Sequence, residues 1–190
     1  TLLWYRRNDT VYGHHNAVHW GDVNRDGRPE VVAGGTCCDA CGNRLWTHNG
    51  LDEIERFDGA GSHTGHYDAV LVQAPEDWPH ADPLLFYIAG ATGVQVVDAR
   101  SGAVRDVHRT GHAQNGCWCK VRDDVPGRQV LADTRWGTFG ILTLFSATGE
   151  KLWTMSPDFV AEYATPVRWC ADGPQLIPGT ENGPGRWPEN

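Results

Sequence analysis

The feature that most constrains this chain is repetition. Three segments open alike: Gly13-His14-His15-Asn16-Ala17-Val18, Gly65-His66-Tyr67-Asp68-Ala69-Val70 and Gly111-His112-Ala113-Gln114-Asn115-Gly116. Their Gly-His steps lie 52 and then 46 residues apart, and a weaker fourth copy starts near Glu162-Tyr163-Ala164-Thr165-Pro166-Val167. Behind each opening the same order returns. An apolar run (Ala17 to Trp20, Ala69 to Val72) leads through a turn to a second strand in Glu30-Val31-Val32-Ala33-Gly34, Leu85-Phe86-Tyr87-Ile88-Ala89-Gly90 or Gln129-Val130-Leu131-Ala132-Asp133. A third strand, clearest in Gly93-Val94-Gln95-Val96-Val97-Asp98 and Ile141-Leu142-Thr143-Leu144-Phe145, runs into a glycine turn. The last strand leaves that turn: Arg44-Leu45-Trp46-Thr47, Ala103-Val104-Arg105 or Lys151-Leu152-Trp153-Thr154. Ser101-Gly102 and Thr148-Gly149 suit the positive φ of tight hairpins.

Four short strands in a period of about 45–50 residues match a propeller blade. A β-sandwich also supplies many short strands, but does not repeat its motif at this period. No stretch keeps an apolar stripe of helical period for three turns, and 23 Gly, 11 Pro and 9 Trp favour turns and strands. The expected fold is therefore an all-β β-propeller of four-stranded blades. About three blades are complete, with partial blades on either side: Thr1-Leu2-Leu3-Trp4 reads as the tail of a preceding blade, and Gln175-Leu176-Ile177-Pro178-Gly179 as a second strand of a following one. That count is half of a seven- or eight-bladed ring, completed by missing blades or by a second chain; a closed four-bladed ring is the alternative. Residues 1–182 form the partial propeller domain, and the Pro- and Gly-rich residues 183–190 are expected to be a disordered tail.

The net charge of −8 argues against broad nucleic-acid binding, which needs clustered cations. It is compatible with metal cations and with a neutral or locally cation-lined sugar site. No apolar run approaches the roughly 20 residues of a membrane helix, and the opening residues carry no signal-peptide pattern.

Oxygen-bearing side chains recur at positions one, three, five and nine of the loop Asp22-Val23-Asn24-Arg25-Asp26-Gly27-Arg28-Pro29-Glu30. Calcium takes six to eight hard oxygen ligands in flexible geometry. Asp22, Asn24, Asp26 and Glu30 are the candidate ligands, with the carbonyl of Arg28 as a fifth, and Gly27 permits the sharp bend. An EF-hand would need an acid at position twelve, where this chain has Ala33. The alternative is an ordinary solvated Asp/Asn-Gly turn. The second and third copies lack the pattern: Pro75-Glu76-Asp77-Trp78-Pro79 stands in one connection and Arg122-Asp123-Asp124-Val125-Pro126-Gly127 in the other, with Val121 aligned to Asp22. The loop resembles the calcium-binding hairpin of FG-GAP-type propellers. Calcium is thus the expected cofactor, in a structural role that stiffens one hairpin.

Function points to the recurrent histidines. In a propeller the entry loops of the innermost strands gather on one face, so His14 or His15, His66 and His112 converge there, with Asn16, Tyr67, Asp68, Gln114 and Asn115 nearby. Such a cluster could bind a metal, hydrogen-bond a sugar or transfer protons near neutral pH. The competing reading is that each histidine merely satisfies backbone groups in a blade-to-blade turn.

The Gly-His-x-Asp-Ala pattern of Gly65-His66-Tyr67-Asp68-Ala69, with the first opening and its acidic loop, is similar to the blade openings of rhamnogalacturonan lyases of the family-eleven type. That resemblance implies an eight-bladed, calcium-containing propeller that cleaves a pectin backbone by β-elimination. The first opening departs in having Asn16 for the Asp, and the third reads His112-Ala113-Gln114-Asn115. The reaction removes a proton α to a uronate carboxylate, which needs a base, an acid for the leaving oxygen and charge neutralisation. His66 and Tyr67 are the preferred base and acid, with His14 and His112 as alternatives. Arg135 would neutralise the uronate, Trp136 would stack on a sugar face, and Asn16 and Asp68 would bind substrate; an ordinary packing pair is the other reading of Arg135-Trp136. The implied partner is a polysaccharide or glycan, met outside the cell or in the periplasm. A non-catalytic, calcium-stabilised glycan- or protein-binding propeller and a glycosidase on the same scaffold are the alternative functions.

Six cysteines, Cys37, Cys38, Cys41, Cys117, Cys119 and Cys170, allow 15 complete pairings. Disulfides or unpaired core thiols are expected in preference to a zinc site of Cys37, Cys38 and Cys41 with Cys117 or Cys119. Asn8-Asp9-Thr10 is a formal glycosylation acceptor.

Overall fold

A computed structural model of the chain describes residues 2–5, 13–48, 67–79, 82–89, 93–134, 140–156, 161–164, 167 and 179–181. These residues hold strands and no helix. Strands β1 (Gly13–Asn16), β2 (Val18–Gly21), β3 (Glu30–Ala33), β4 (Thr36–Cys38) and β5 (Arg44–Thr47) come first. Then follow β6 (Tyr67–Val72), β7 (Leu84–Ala89), β8 (Gly93–Asp98) and β9 (Val104–Arg109). The third group is β10 (Ala113–Cys119), β11 (Gln129–Thr134), β12 (Leu142–Phe145) and β13 (Lys151–Met155), and β14 (Ala161–Ala164) and β15 (Gly179–Glu181) end the series. Consecutive strands pair antiparallel within each unit, giving the four-stranded sets β2-β3-β4-β5, β6-β7-β8-β9 and β10-β11-β12-β13 and a two-stranded β14-β15, and β1 makes the middle sheet five-stranded.

The middle sheet buries its first three antiparallel strands, β6, β7 and β8, on both faces. Its strand β7 is an uninterrupted apolar run, as expected of a strand covered on both sides. Alternate residues divide between two cores. Leu85 and Tyr87, with Val70, Val72 and Val97, pack on Ala17, Val32, Cys37 and Trp46 of the first unit. Phe86 and Ile88, with Ala69, Leu71, Val94 and Val96, pack on Ala113, Val130, Ala132 and Phe145 of the third. Each fully buried side chain of this size contributes about 1.5–3 kcal/mol, so face-to-face stacking of sheets is the main source of cohesion. The outer strand β9 is half-exposed and carries charge.

Two departures from the expected layout matter. The first opening does not run on into the inner strand of its own sheet. Instead β1 lies parallel against β6 of the next unit, with Gly13 opposite Tyr67 and Asn16 opposite Ala69. At Ala17, whose carbonyl accepts from the Gly34 amide at 2.6 Å, the chain passes into β2. Residues 2–5 form no strand; Trp4 rests on the β4–β5 turn, its indole N–H donating to the Ala40 carbonyl at 3.0 Å. The same contact recurs one unit on, where Trp46 donates to the Ala99 carbonyl at 3.0 Å. In both turns the indole covers a left-handed glycine, Gly42 at φ +83° and Gly102 at φ +74°.

Candidate functional site

The chain brings a carboxylate and an imidazole together at the seam between the second and third units. Asp68, the second residue of β6, is 2 % exposed. Its Oδ2 lies 3.2 Å from Nε2 of His112, the residue just before β10. Gly111 at φ +93° turns the chain into that position. Since a carboxylate only accepts, Nε2–H donates and Nδ1 becomes the basic nitrogen of the ring. By backbone register β1 runs beside the start of β6, so His14 and Asn16 belong to the same sheet edge as Asp68. The edge thus collects the first opening, the second and the approach to the third.

Tyr67 sits beside this edge but points into the core. It is 0 % exposed. Its ring packs 4.4 Å from Tyr87 and 5.7 Å from His48, and its hydroxyl reaches Gln95 Oε1 at 3.5 Å. His48 completes that group, with Nε2 2.9 Å from Gln95 Oε1 and Nδ1 3.1 Å from the Gly102 carbonyl. Tyr87 donates to the Gly34 carbonyl at 2.9 Å, and burial holds its hydroxyl well above the usual phenol pKa. This polar bolt between the first two units was not visible in the repeat pattern, because His48 stands outside any Gly-His opening. His66, Arg135 and Trp136 lie outside the described residues.

The acidic loop curls around its own carboxylates. Asp22 accepts from the amides of Asp26 at 2.9 Å and Gly27 at 2.8 Å. Asn24 Oδ1 accepts from Asp26 N at 2.8 Å, and Asp26 Oδ1 from Arg28 N at 2.9 Å. Arg25 (φ 61°) and Gly27 (φ 87°) make the reversal. Glu30 is buried and accepts from Val23 N at 2.9 Å and Asn24 Nδ2 at 3.4 Å. Desolvation raises its pKa, and the charges of Asp26 and Asp22 push the same way. The Arg25 guanidinium turns away to the carbonyls of Trp78 and Pro79 in the neighbouring unit. Among the described residues no Lys or Arg side chain pairs with these three acids, and no set of three or more His, Cys, Asp and Glu is arranged as a metal site. The donors are nonetheless all hard oxygen, the chemistry calcium favours, and the buried Glu30 lacks a counter-charge.

Cross-strand register corrects the alignment of the loops. Gly21 faces Glu30 and Cys119 faces Gln129. Asp22 therefore corresponds to Lys120, not to Val121, and Glu30 to Gln129. In the second unit the buried Asp77 instead pairs with Arg128 of the third and accepts from Ala74 N at 2.7 Å. The rim of connections is thus stitched unit to unit.

No model of a known protein family matches the chain, and no curated protein matches it. Two solved structures do. One is an exotype rhamnogalacturonan lyase, YesX (TM-score 0.56, 23 % identity, covering 79 % of this chain and 24 % of that one). The other is rhamnogalacturonan lyase PL11 of Bacillus licheniformis (TM-score 0.53, 19 % identity, 77 % and 22 % covered). The likeness is one of fold. The chain spans about a quarter of the length of these structures.

None of the described cysteines Cys37, Cys38, Cys41, Cys117 and Cys119 is in a disulfide. Burial pushes Cys37, Cys117 and Cys119 up to about 12, which makes them packing residues that stay protonated at neutral pH. No helix among the described residues is long and apolar enough to cross a membrane.

Proposed function

We propose that the chain is part of a carbohydrate-active β-propeller, a polysaccharide lyase that cleaves a rhamnogalacturonan-like polymer by β-elimination. The observation that carries the reading is the Asp68–His112 dyad at an edge shared by successive repeat openings. The fold likeness to two rhamnogalacturonan lyases supports the substrate class. The successive stacked sheets support the ring, each unit being one blade.

In this reading His112, oriented by Asp68, takes the proton α to the uronate carboxylate. The C–O bond β to it breaks, a C=C bond forms, and the departing oxygen gains a proton from a second group. Full burial of Tyr67 removes it from that role, so the acid falls to His14 or His66. Arg135 neutralises the carboxylate, Trp136 stacks on a sugar, and Asn16 binds substrate. Asp22, Asn24, Asp26, Glu30 and the Arg28 carbonyl would hold calcium, which supplies charge compensation and stiffness to one hairpin. A polymer of this kind is met outside the cell or in the periplasm.

The test is absorbance of the unsaturated product from uronate-containing polysaccharides, using the chain and any longer protein that contains it. His112→Ala should abolish product with circular dichroism unchanged, and Asp68→Asn should slow it at least ~10²-fold. Retained glycan binding with no product would sink the lyase reading in favour of a binding module.

A further inference from the structure

The three connections between first and second strands solve one electrostatic problem in different ways. In the first unit a ring of side-chain oxygens, Asp22, Asn24, Asp26 and Glu30, closes on backbone amides with no ammonium or guanidinium group among them. In the third unit the corresponding loop is turned inside out. Lys120, at the place of Asp22, sends its ammonium into the loop and donates to the carbonyls of Val125 and Gly127, the latter at 2.9 Å. Gln129, at the place of Glu30, is neutral and fully buried. Its Oε1 accepts from Val121 N and Arg122 N, both at 3.0 Å, as Glu30 accepts from Val23 N. Its Nε2 donates to the Gly127 carbonyl at 2.8 Å. Of its two acids, Asp123 and Asp124, the latter pairs outward with Arg122.

We propose that the Lys120 ammonium is the resident cation of the third loop, standing where the first loop takes a metal ion. The residue directly after the first strand of a unit then selects the cation: Asp22 calls for a divalent ion, and Lys120 makes its loop metal-independent. Two observations carry this independently of the first loop. One is the register equivalence of Asp22 with Lys120 and of Glu30 with Gln129. The other is the convergence of two backbone carbonyls on one ammonium. An ammonium is a compact point charge that donates up to three hydrogen bonds, so carbonyls that would otherwise need an ion are satisfied by the chain itself. The consequence is that chelation loosens one hairpin and leaves its neighbour intact. The first loop's metal is a premise taken from the proposed function; the Lys120 assignment can fail or stand without it.

The experiment separates the two. Terbium is titrated into the chain, with Trp20 near the first loop and Trp118 near the third as sensitisers, and thermal melts are run in calcium and in EDTA. A single ion per chain is expected, lost in Asp22→Asn/Asp26→Asn and kept in Lys120→Met. Lys120→Met should lower the melting temperature by about 4–10 °C, equally in calcium and EDTA. If that variant does not fold, Lys120→Gln, which keeps a donor without the charge, is measured instead and should show a smaller loss of the same metal-independent kind. An unchanged melting temperature overturns the Lys120 assignment, as does a second terbium site in the wild type or rescue of the variant by calcium. No terbium binding in the wild type sinks the first-loop metal alone, and the Lys120→Met melt still decides the proposal.

Discussion

Gly102→Ala isolates the contact that locks one unit to the next. The Cβ would stand 2.6 Å from Trp46 Cε3 and 2.9 Å from Cδ2, at a φ of +74°. Left-handed backbone costs an L-residue about 1–2 kcal/mol, and alanine returns about 0.4–1 kcal/mol by stiffening the unfolded chain. The indole cannot yield without loosening its bond to the Ala99 carbonyl, a further ~0.5–1.5 kcal/mol. Gly27→Ala is the matching control, because its φ is +87° and nothing lies within 4 Å of the added Cβ. Backbone strain is common to both, so Gly102→Ala should be the worse by about 0.5–1.5 kcal/mol. Urea unfolding followed by far-UV circular dichroism in EDTA measures both, and EDTA keeps any metal at the Gly27 loop out of the comparison. Trp46→Phe in the Gly102→Ala background should cost less than in the wild type, since the bond it removes is already weakened. Equal losses in the two glycine variants would show that the indole is not a lock.

Three further outcomes follow from the buried charges and thiols. Arg128→Met leaves the buried Asp77 without its guanidinium, and Asp77 already has a pKa raised mainly by desolvation. A raised acid destabilises above its folded pKa and not below its unfolded one, so the loss should be about 2–3 kcal/mol at pH 7 and shrink toward pH 4 in urea melts. Glu30 is likewise raised by burial. Glu30→Gln should therefore raise the melting temperature in EDTA at neutral pH while abolishing any increase given by calcium; a lower value in EDTA would refute the buried-charge argument. Iodoacetamide at pH 8, read by peptide mass, should label the exposed Cys41 well before Cys37, Cys117 and Cys119, whose thiols stay protonated.

The strands were largely legible because they are short, β-branched or aromatic, and bounded by glycine. The sequence strings at Arg44 to Thr47 and Gly93 to Asp98 coincide with β5 and β8. Pairing across units was not legible. Nothing local in Gly13-His14-His15-Asn16 distinguishes the start of its own sheet from a parallel partner of Tyr67, since that choice is made by hydrogen bonds to residues more than 50 positions away. Tyr67 looked available because it follows His66. In a strand buried on both faces, however, every position of β6 but Asp68 reads as apolar or aromatic, and alternation no longer tells inside from outside.

The slip that aligned Val121 with Asp22 has a related cause and a chemical consequence. Counting back from Glu30 and Gln129 sets Asp22 against Val121 because the third loop is one residue longer, whereas equivalence at the start of a loop is set by the last pair of strand residues before it. Once Gly21 is matched with Cys119, a position read as a lost ligand becomes a position of reversed charge. The dyad was half legible for the same reason. The repeat marked His112 and Asp68 as openings of their units and gathered them on one face, but gave no pairing between the two. Their meeting at 3.2 Å exists only because one unit's first strand packs against the approach to the next. In a stack of repeats, side-chain pairs that a single unit cannot assemble arise at the seams, as Asp68 and His112 do.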